Sequence, residues 1–366
     1  MEETTTRLKS LDILRGLTII LMIIVNDPGS WSAVYAPLLH ASWNGFTPTD
    51  FVFPNFIFIV GVSIVLAFNK ILKPGVSNSD LVKKTLIRTL KIYALGVLLW
   101  LFPEFDFTRI RWVGVLQRIA LVYLVCSLLF IYIKNARFLT IAVGLVVFYW
   151  IIMVFIPIPG IGTPDLSAPE MNWAHYIDSF IVPGLLYETT WDPEGFFSTL
   201  PAIATGLFGM VAGRLMLKKI TMEQKLVKLF VYGTLLFLSG VIISWSFPLN
   251  KHIWSSSFTC ITAGLSSQLF ALSVYVIDVL KKDRYFKIAH YFGMNSIFSY
   301  ALSGLLVSVF YSDRFLGVSL SGLFMDWMTA IGFSAKWASL NYALLYVGII
   351  LIPTYLLFRK KIFLKL

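Results

Sequence analysis

The stretch His40-Ala-Ser-Trp-Asn-Gly-Phe-Thr-Pro-Thr-Asp50-Phe-Val-Phe-Pro54 lies between two apolar runs, near 11–27 and 50–70, each long enough to cross a bilayer. A hydrocarbon core of about 30 Å takes roughly 20 helical residues. Lipid cannot satisfy the polar groups of a junction like this one, so it lines a wet cavity or is buried in protein. It sets an imidazole and a carboxylate, His40 and Asp50, ten residues apart, with Trp43 and Asn44 between them. A side chain that titrates near neutrality beside a carboxylate is the usual equipment of a general base. A surface loop whose histidine merely caps a helix is the plainer alternative.

Composition fits the membrane reading. The chain has 366 residues, 58% of them hydrophobic and 13% charged. Soluble proteins carry roughly twice that share of charge, about 25%. Ten apolar runs of spanning length fall near 11–27, 50–70, 85–102, 112–133, 138–156, 197–217, 228–247, 257–280, 290–311 and 340–358. The expected fold is an all-α polytopic membrane protein, a single domain of about ten transmembrane helices. No cleavable signal is expected ahead of the first span.

The net charge of +11 suggests a polyanion partner until its placement is considered. Basic residues cluster in alternate loops and at the C-terminus: Lys70, Lys73, Lys83, Lys84 and Arg88; Lys134 and Arg137; Lys218, Lys219, Lys225 and Lys228; Lys281, Lys282, Arg284 and Lys287; Arg359, Lys360, Lys361 and Lys365. The positive-inside rule accounts for these clusters without nucleic acid, and with Arg7 and Lys9 it puts both termini in the cytoplasm. Cys126 and Cys260 lie inside apolar runs, as small buried hydrophobes do. No metal-ligand spacing is present.

Polar residues inside spans need an explanation, because lipid penalises them. Asp12 and Arg15, three apart, share a helix face and can pair. Gln117 and Arg118 lie a turn or more into the fourth span, where a guanidinium snorkels poorly and calls for a polar cavity or an anion. Asn295 and Ser296, near the start of the ninth span, are equally suited to interhelical hydrogen bonding or to ligand contact. Asn26 and Asp27 close the first span on the outer side, level with His40. The outer segment 157–196 carries Asp165, Glu170, Asp178, Glu188, Asp192 and Glu194, and a loop of that length is expected to be a lid or a binding surface. His175, His252 and His290 show no partner in the sequence.

These residues carry a resemblance. The chain resembles the heparan-α-glucosaminide N-acetyltransferase family, and especially its bacterial inner-membrane members. The matching stretches are Arg7-Leu-Lys-Ser-Leu-Asp-Ile-Leu-Arg-Gly16, His40 to Pro54, Gly114-Val-Leu-Gln-Arg118, Trp191-Asp-Pro-Glu-Gly195, Trp254-Ser-Ser-Ser-Phe258, Gly293-Met-Asn-Ser-Ile297 and Arg359-Lys-Lys-Ile-Phe363. The Asp-x-x-Arg-Gly element is shared with other transmembrane acyltransferases, whereas His-Ala-Ser-Trp-Asn-Gly is specific. The resemblance implies an acetyl-CoA donor, a glucosamine-type amine acceptor across the membrane and a catalytic histidine falling on His40. It also implies a bacterial inner-membrane location, with a homodimer as the oligomeric expectation. Relative to the lysosomal enzyme, no luminal N-terminal domain is expected here and the long outer loop is shorter, so heparan is not the expected acceptor.

The chemistry of the residues agrees. An amine attacks only when deprotonated, which calls for a base near pH 7, and His40 has Asp50 to orient it. Asn26, Asn44 or backbone N–H groups could steady the developing oxyanion. Arg15 and Arg118, with Gln117, Asn295 and Ser296, are expected to hold the CoA portion. Trp43, Asp27, Asp192 and Glu194 are expected on the acceptor side. Two rivals stay open, an amino-sugar transporter without chemistry and a polysaccharide O-acyltransferase.

Overall fold

The computed structural model describes residues 8–71, 77–133 and 137–364. Arg7, Lys73, Lys134 and Lys365, used above for topology, lie outside the described residues. The described residues fold mainly as helices, with no strand beyond the isolated bridges Arg111–Gly184 and Ile158–Gly162. The helices are α1 (Lys9–Asn26), α2 (Pro48–Ile71), α3 (Asn78–Leu101), α4 (Val115–Tyr132), α5 (Phe138–Phe155), α6 (Trp173–Ile181), α7 (Thr199–Leu217), α8 (Met222–Ile243), α9 (Ser256–Val274), α10 (Lys287–Met294), α11 (Ser296–Phe310), α12 (Leu320–Ala330) and α13 (Ala335–Arg359).

Seven of these helical segments are long and apolar enough to cross a membrane: α2, α4, α5, α7, α8, α9 with its extension to Val279, and α13. The sequence expectation was about ten. Each expected run contains helix, but α1 carries Lys9, Asp12 and Arg15, and α3 carries Asp80, Lys83, Lys84, Arg88 and Lys91. Those charges set both apart from purely apolar spans. The run at 290–311 is not one rod. It is a helix pair bent by 73° around Asn295, which counts as an eighth candidate when taken as one broken span.

The chain forms two compact units. The first contains residues up to His40, 47–53 and the segment from Leu272 onward. Its closest helix crossing is α1 on α10, made possible by glycine. A Cβ on Gly16 would run into the Ala289 carbonyl, and one on Gly293 into the carbonyl of Asp12. Small-residue contacts of this kind substitute for the hydrophobic drive that lipid does not supply.

The second unit contains 41–46 and Pro54–Ala271. Here α2 and α7 meet through Gly61, Gly206 and Gly209, again backbone against backbone. Tyr149, Met153, Phe197, Phe247 and Ile253 build a buried core where α5 meets the chain around Phe197 and from Phe247 to Ile253. The hydroxyl of Tyr149 donates to the Ile253 carbonyl at 2.7 Å, so the polar end of this ring is satisfied within that core. Cys126 and Cys260 are free and buried, as expected.

Candidate functional site

In the first unit the catalytic expectation rests on the start of α2. Thr47-Pro-Thr-Asp50 forms a reciprocal helix cap. The Thr47 backbone N–H donates to Asp50 Oδ2 at 2.9 Å, and the Asp50 N–H points back at Thr47 Oγ1 at 3.4 Å. Proline at the first helical position has no N–H to leave orphaned, so the local sequence dictates this start. With Oδ2 engaged by Thr47, Oδ1 faces His40 Nδ1 at 2.6 Å. Asp50 is fully buried and the His40 side chain is 35% exposed. A carboxylate accepts, so Nδ1 donates this hydrogen bond. Thr49 Oγ1 donates to the Pro37 carbonyl at 3.0 Å, fastening the strand of chain that precedes His40. The pair is therefore a buried carboxylate hydrogen-bonded to a part-exposed imidazole.

Asn26 ends α1 with its side chain exposed, while Asp27 turns inward. At the other end of α1, Arg15 Nη1 donates to Asp12 Oδ1 at 3.3 Å and to the Gly293 carbonyl at 3.2 Å. Asn295, buried at the break before α11, is clamped to the C-terminal tail. Its Nδ2 donates to the Ile362 carbonyl at 3.1 Å and its Oδ1 accepts from the Leu364 N–H at 3.0 Å. The Gly293-Met-Asn-Ser and Arg359-Lys-Lys-Ile-Phe motifs thus meet through the Asn295 side chain. Ser296 opens α11 and is half-buried.

In the second unit, three segments distant in sequence converge on Trp43. Its ring stacks on His252 at 5.4 Å and 7°, and Trp191 meets both rings edge-on at 5.1 Å. Trp43 Nε1 and Asn44 Nδ2 both donate to the Leu166 carbonyl, at 2.9 and 3.1 Å. Asn250 Nδ2 donates to Asn44 Oδ1 at 3.0 Å. His252 shows no partner in the sequence, and its stacking on Trp43 has no sequence signal.

The residues that follow Trp191 in the chain take part in an ion cluster. Arg111 grips Asp192 with two N–H groups, at 2.7 and 2.6 Å, and reaches Glu194 at 2.8 Å. All three are nearly buried. Burial alone would raise the Glu194 carboxyl, but the charges of Arg111, Lys251 and Arg118 outweigh it and hold it below the usual range. Asp178 on α6 goes the other way: burial pushes its carboxyl up to about 6, although the Phe197 N–H donates to it at 2.9 Å. Arg118, 1% exposed, donates from Nη2 to the Gly195 carbonyl and to Ser198 Oγ, and its guanidinium lies over the Trp254 ring at 5.0 Å. Its Nε and Nη1 are buried without a hydrogen-bond acceptor. Gln117 reaches back to the Arg111 carbonyl at 3.5 Å. Asp192 and Glu194 therefore spend their charge on Arg111, in a network that fixes the Trp191–Gly195 loop to the start of α4.

The model of the catalytic region of heparan-alpha-glucosaminide N-acetyltransferase matches residues 7–241 of this chain. The chain belongs to that family. Two enzymes of that name resemble it over much of its length. The human protein is 26% identical over 98% of this chain and 60% of its own length. The mouse protein is 27% identical over 84% of this chain and 55% of its own. The chain thus spans a little over half the length of these curated relatives. The heparan-alpha-glucosaminide N-acetyltransferase match takes in His40, Asp50, Asn26, Arg118 and the Trp191–Glu194 loop. Asn250, His252, Asn295 and Ser296 lie beyond its end.

The donor's chemistry can be compared with the residues present. Acyl-CoA is anionic at its nucleotide end and carries carbonyl oxygens along its pantetheine arm. In the first unit Arg15 keeps 19% of its side chain exposed. In the second, the orphaned Nε and Nη1 of Arg118 call for an oxygen acceptor. Each suits a different part of such a molecule. Among the described residues no group of three or more His, Cys, Asp or Glu could hold a metal ion.

Proposed function

We propose that this chain transfers an acetyl group from cytosolic acetyl-CoA to the amine of a glucosamine-type sugar on the periplasmic side of a bacterial inner membrane. The single observation that carries the reading is the His40–Asp50 dyad, a 2.6 Å contact with the acid buried and the imidazole accessible, inside the region matching the acetyltransferase family. The named activity of the human and mouse relatives agrees with it.

His40 acts as general base on the acceptor ammonium, or as transient acetyl carrier, with Asp50 fixing its tautomer. Asn26 and Asn44 are the side-chain donors assigned to the oxyanion. Asn44 has one amide hydrogen on Leu166 and its oxygen on Asn250, which leaves the other hydrogen for this task. Arg15, Asn295 and Ser296 in one unit, and Arg118 and Gln117 in the other, are assigned to the donor. Trp43, Asp27, Asp192 and Glu194 are assigned to the acceptor side, the last two through the loop they anchor. About ten spans with both termini cytoplasmic, and assembly as a homodimer, complete the proposal.

Incubating the purified protein with acetyl-labelled CoA and a panel of amino sugars tests the reading. A labelled N-acetyl sugar is the expected product. Intact sugar crossing a proteoliposome membrane with no label transferred would replace the enzyme by a transporter, and a labelled ester would point to the O-acyltransferase. Cysteines placed at Lys219 and Lys282 test the topology, which requires that they label from the cytoplasmic side only.

A further inference from the structure

The Trp254-Ser-Ser-Ser-Phe258 motif and the turn ahead of it have no part in the chemistry assigned above. Asn250, at the head of that turn, is fully buried, and backbone groups fix its place. Its N–H donates to Ser255 Oγ at 3.1 Å, and its carbonyl accepts from the Ser255 N–H at 2.9 Å. Ser257 Oγ donates to the carbonyls of Phe247 and Pro248, at 2.5 and 3.2 Å, which secures the chain leading into the turn. Ser256 Oγ donates to the Val146 carbonyl of α5 at 2.8 Å. The three successive serines therefore act as local backbone partners where α9 begins, a role their short hydroxyls suit.

The turn so built grips residues 41–46. The Leu249 carbonyl accepts from the Gly45 N–H at 2.7 Å, and His252 Nε2 donates to the Ala41 carbonyl at 3.1 Å. Between these two contacts the Asn250 side chain meets that of Asn44, and fixed backbone groups dictate the sense of the meeting. A backbone N–H can only donate, so Asn250 Oδ1 accepts from the Ile253 N–H at 3.1 Å and Nδ2 is left to face Asn44. Nδ2 then donates to Asn44 Oδ1 at 3.0 Å. At the far end a backbone carbonyl can only accept, so Asn44 Nδ2 donates to Leu166 at 3.1 Å. The two amides form a one-way chain from the Ile253 N–H to the Leu166 carbonyl, and neither can turn over without setting like atoms against each other.

Asn44 itself is exposed, and the terminal torsion of an exposed asparagine is broad, so its oxygen and its NH2 group exchange places readily. Here that freedom is removed. One Nδ2 hydrogen is taken by Leu166, and the other meets no acceptor among the described residues. We propose that Asn250 is a positioning residue for acetyl transfer, holding the Asn44 amide so that an N–H, and not the oxygen, serves the carbonyl oxygen of the reacting acetyl group. This rests on the acetyl-transfer reading and deepens it. A donor stabilises a developing oxyanion best when it is aimed before the charge appears. Asn250 supplies that aim from a buried position, acting through Asn44.

Steady-state acetylation of glucosamine by the full chain in nanodiscs, at pH 8, compares Asn250→Asp with Asn250→Ala. The new carboxylate still accepts from the Ile253 N–H but has no hydrogen for Asn44, whose amide therefore turns its NH2 to the carboxylate and its oxygen to the substrate. For Asn250→Asp, kcat should fall on the order of 10²-fold, as when an oxyanion donor is removed, with both KM values within about threefold of wild type. Asn250→Ala leaves Asn44 to the Leu166 carbonyl and should lose only about tenfold, as for one ordinary hydrogen bond. A packing role gives the opposite order, because aspartate keeps the shape and alanine does not. In an Asn44→Ala background, either change should cost less than about threefold more in kcat. An Asn250→Ala loss equal to or larger than that of Asn250→Asp, or losses that multiply with that of Asn44→Ala, would overturn the proposal. Melting of Asn44→Ala, Asn250→Ala and their double variant tests the contact without turnover, or where Asn250→Asp folds poorly: the two shifts should be less than additive, and additive shifts would overturn it. A wild type that shows this coupling yet transfers no acetyl group would refute the enzymatic reading and leave the hold of Asn250 on Asn44 standing.

Discussion

Replacing Arg111 with methionine isolates the network that fixes the loop after α6. The guanidinium makes three contacts of 2.6–2.8 Å to Asp192 and Glu194, and lies over the rings of Tyr187 and Trp100 at 4.8 and 5.4 Å. Methionine keeps much of the volume and removes the charge, stranding two buried carboxylates. Breaking a buried pair by deleting one partner costs about 3–5 kcal/mol. Arg118 and Lys251 still act on Glu194, which favours the lower end of that range. At about 2 °C per kcal/mol for a large domain, the melting midpoint should fall on the order of 5–10 °C. Thermal unfolding in nanodiscs, followed by tryptophan emission, reads this out. The triple variant Arg111→Met, Asp192→Asn, Glu194→Gln should regain at least half of the loss, because the charges to be stranded are gone. A single variant that melts with the wild type, or a triple variant that melts lower still, would refute the reasoning that charge burial dominates here.

Three further outcomes follow from the same geometry. Asp178 has a native carboxyl raised to about 6 from an ordinary 3.8, so it favours folding in its protonated form; its contribution is fully present below pH 4 and is lost as pH rises through 6, a change on the order of 3 kcal/mol. Asp178→Asn should accordingly flatten the fall in melting temperature between pH 4 and pH 7, and an unchanged fall would assign it to other groups. Asp50→Asn should lower kcat by about 10²-fold or more with the fold intact, since an amide whose oxygen serves Thr47 turns its NH2 towards His40 Nδ1 and cannot accept from it; steady-state rates alongside a melting curve check this. Gly16→Ala should destabilise the first unit by at least 1–3 kcal/mol, as expected of overpacking, because the new methyl meets the Ala289 carbonyl of α10 and not a side chain that can rotate away.

The sequence made the local chemistry readable and the long-range pairings invisible. His40 and Asp50 are ten residues apart, and the Thr-Pro-Thr-Asp cap that aims the carboxylate is written in four consecutive residues, so their contact was foreseeable. Arg15 with Asp12 is likewise a one-turn pair. Arg111 with Asp192 and Glu194, separated by 81 and 83 positions, is not. Asp192 and Glu194 read as acceptor-side residues, and nothing local announces that Arg111 is their cation. His252 looked idle for the same reason, since its stacking partner Trp43 lies more than two hundred positions away. Hydropathy placed the helical runs well, yet it counted charges poorly. It ran α10 and α11 together because an apolar run carries no mark of the 73° bend at Asn295.

Acetyl transfer by His40→Ala tests the central claim most directly. With labelled acetyl-CoA and glucosamine in excess, the wild type should yield labelled N-acetylglucosamine. The variant, folded by its melting curve and still binding CoA, should fall by at least about 10²–10⁴-fold, the usual cost of removing a general base. A variant that turns over near the wild-type rate would contradict the account.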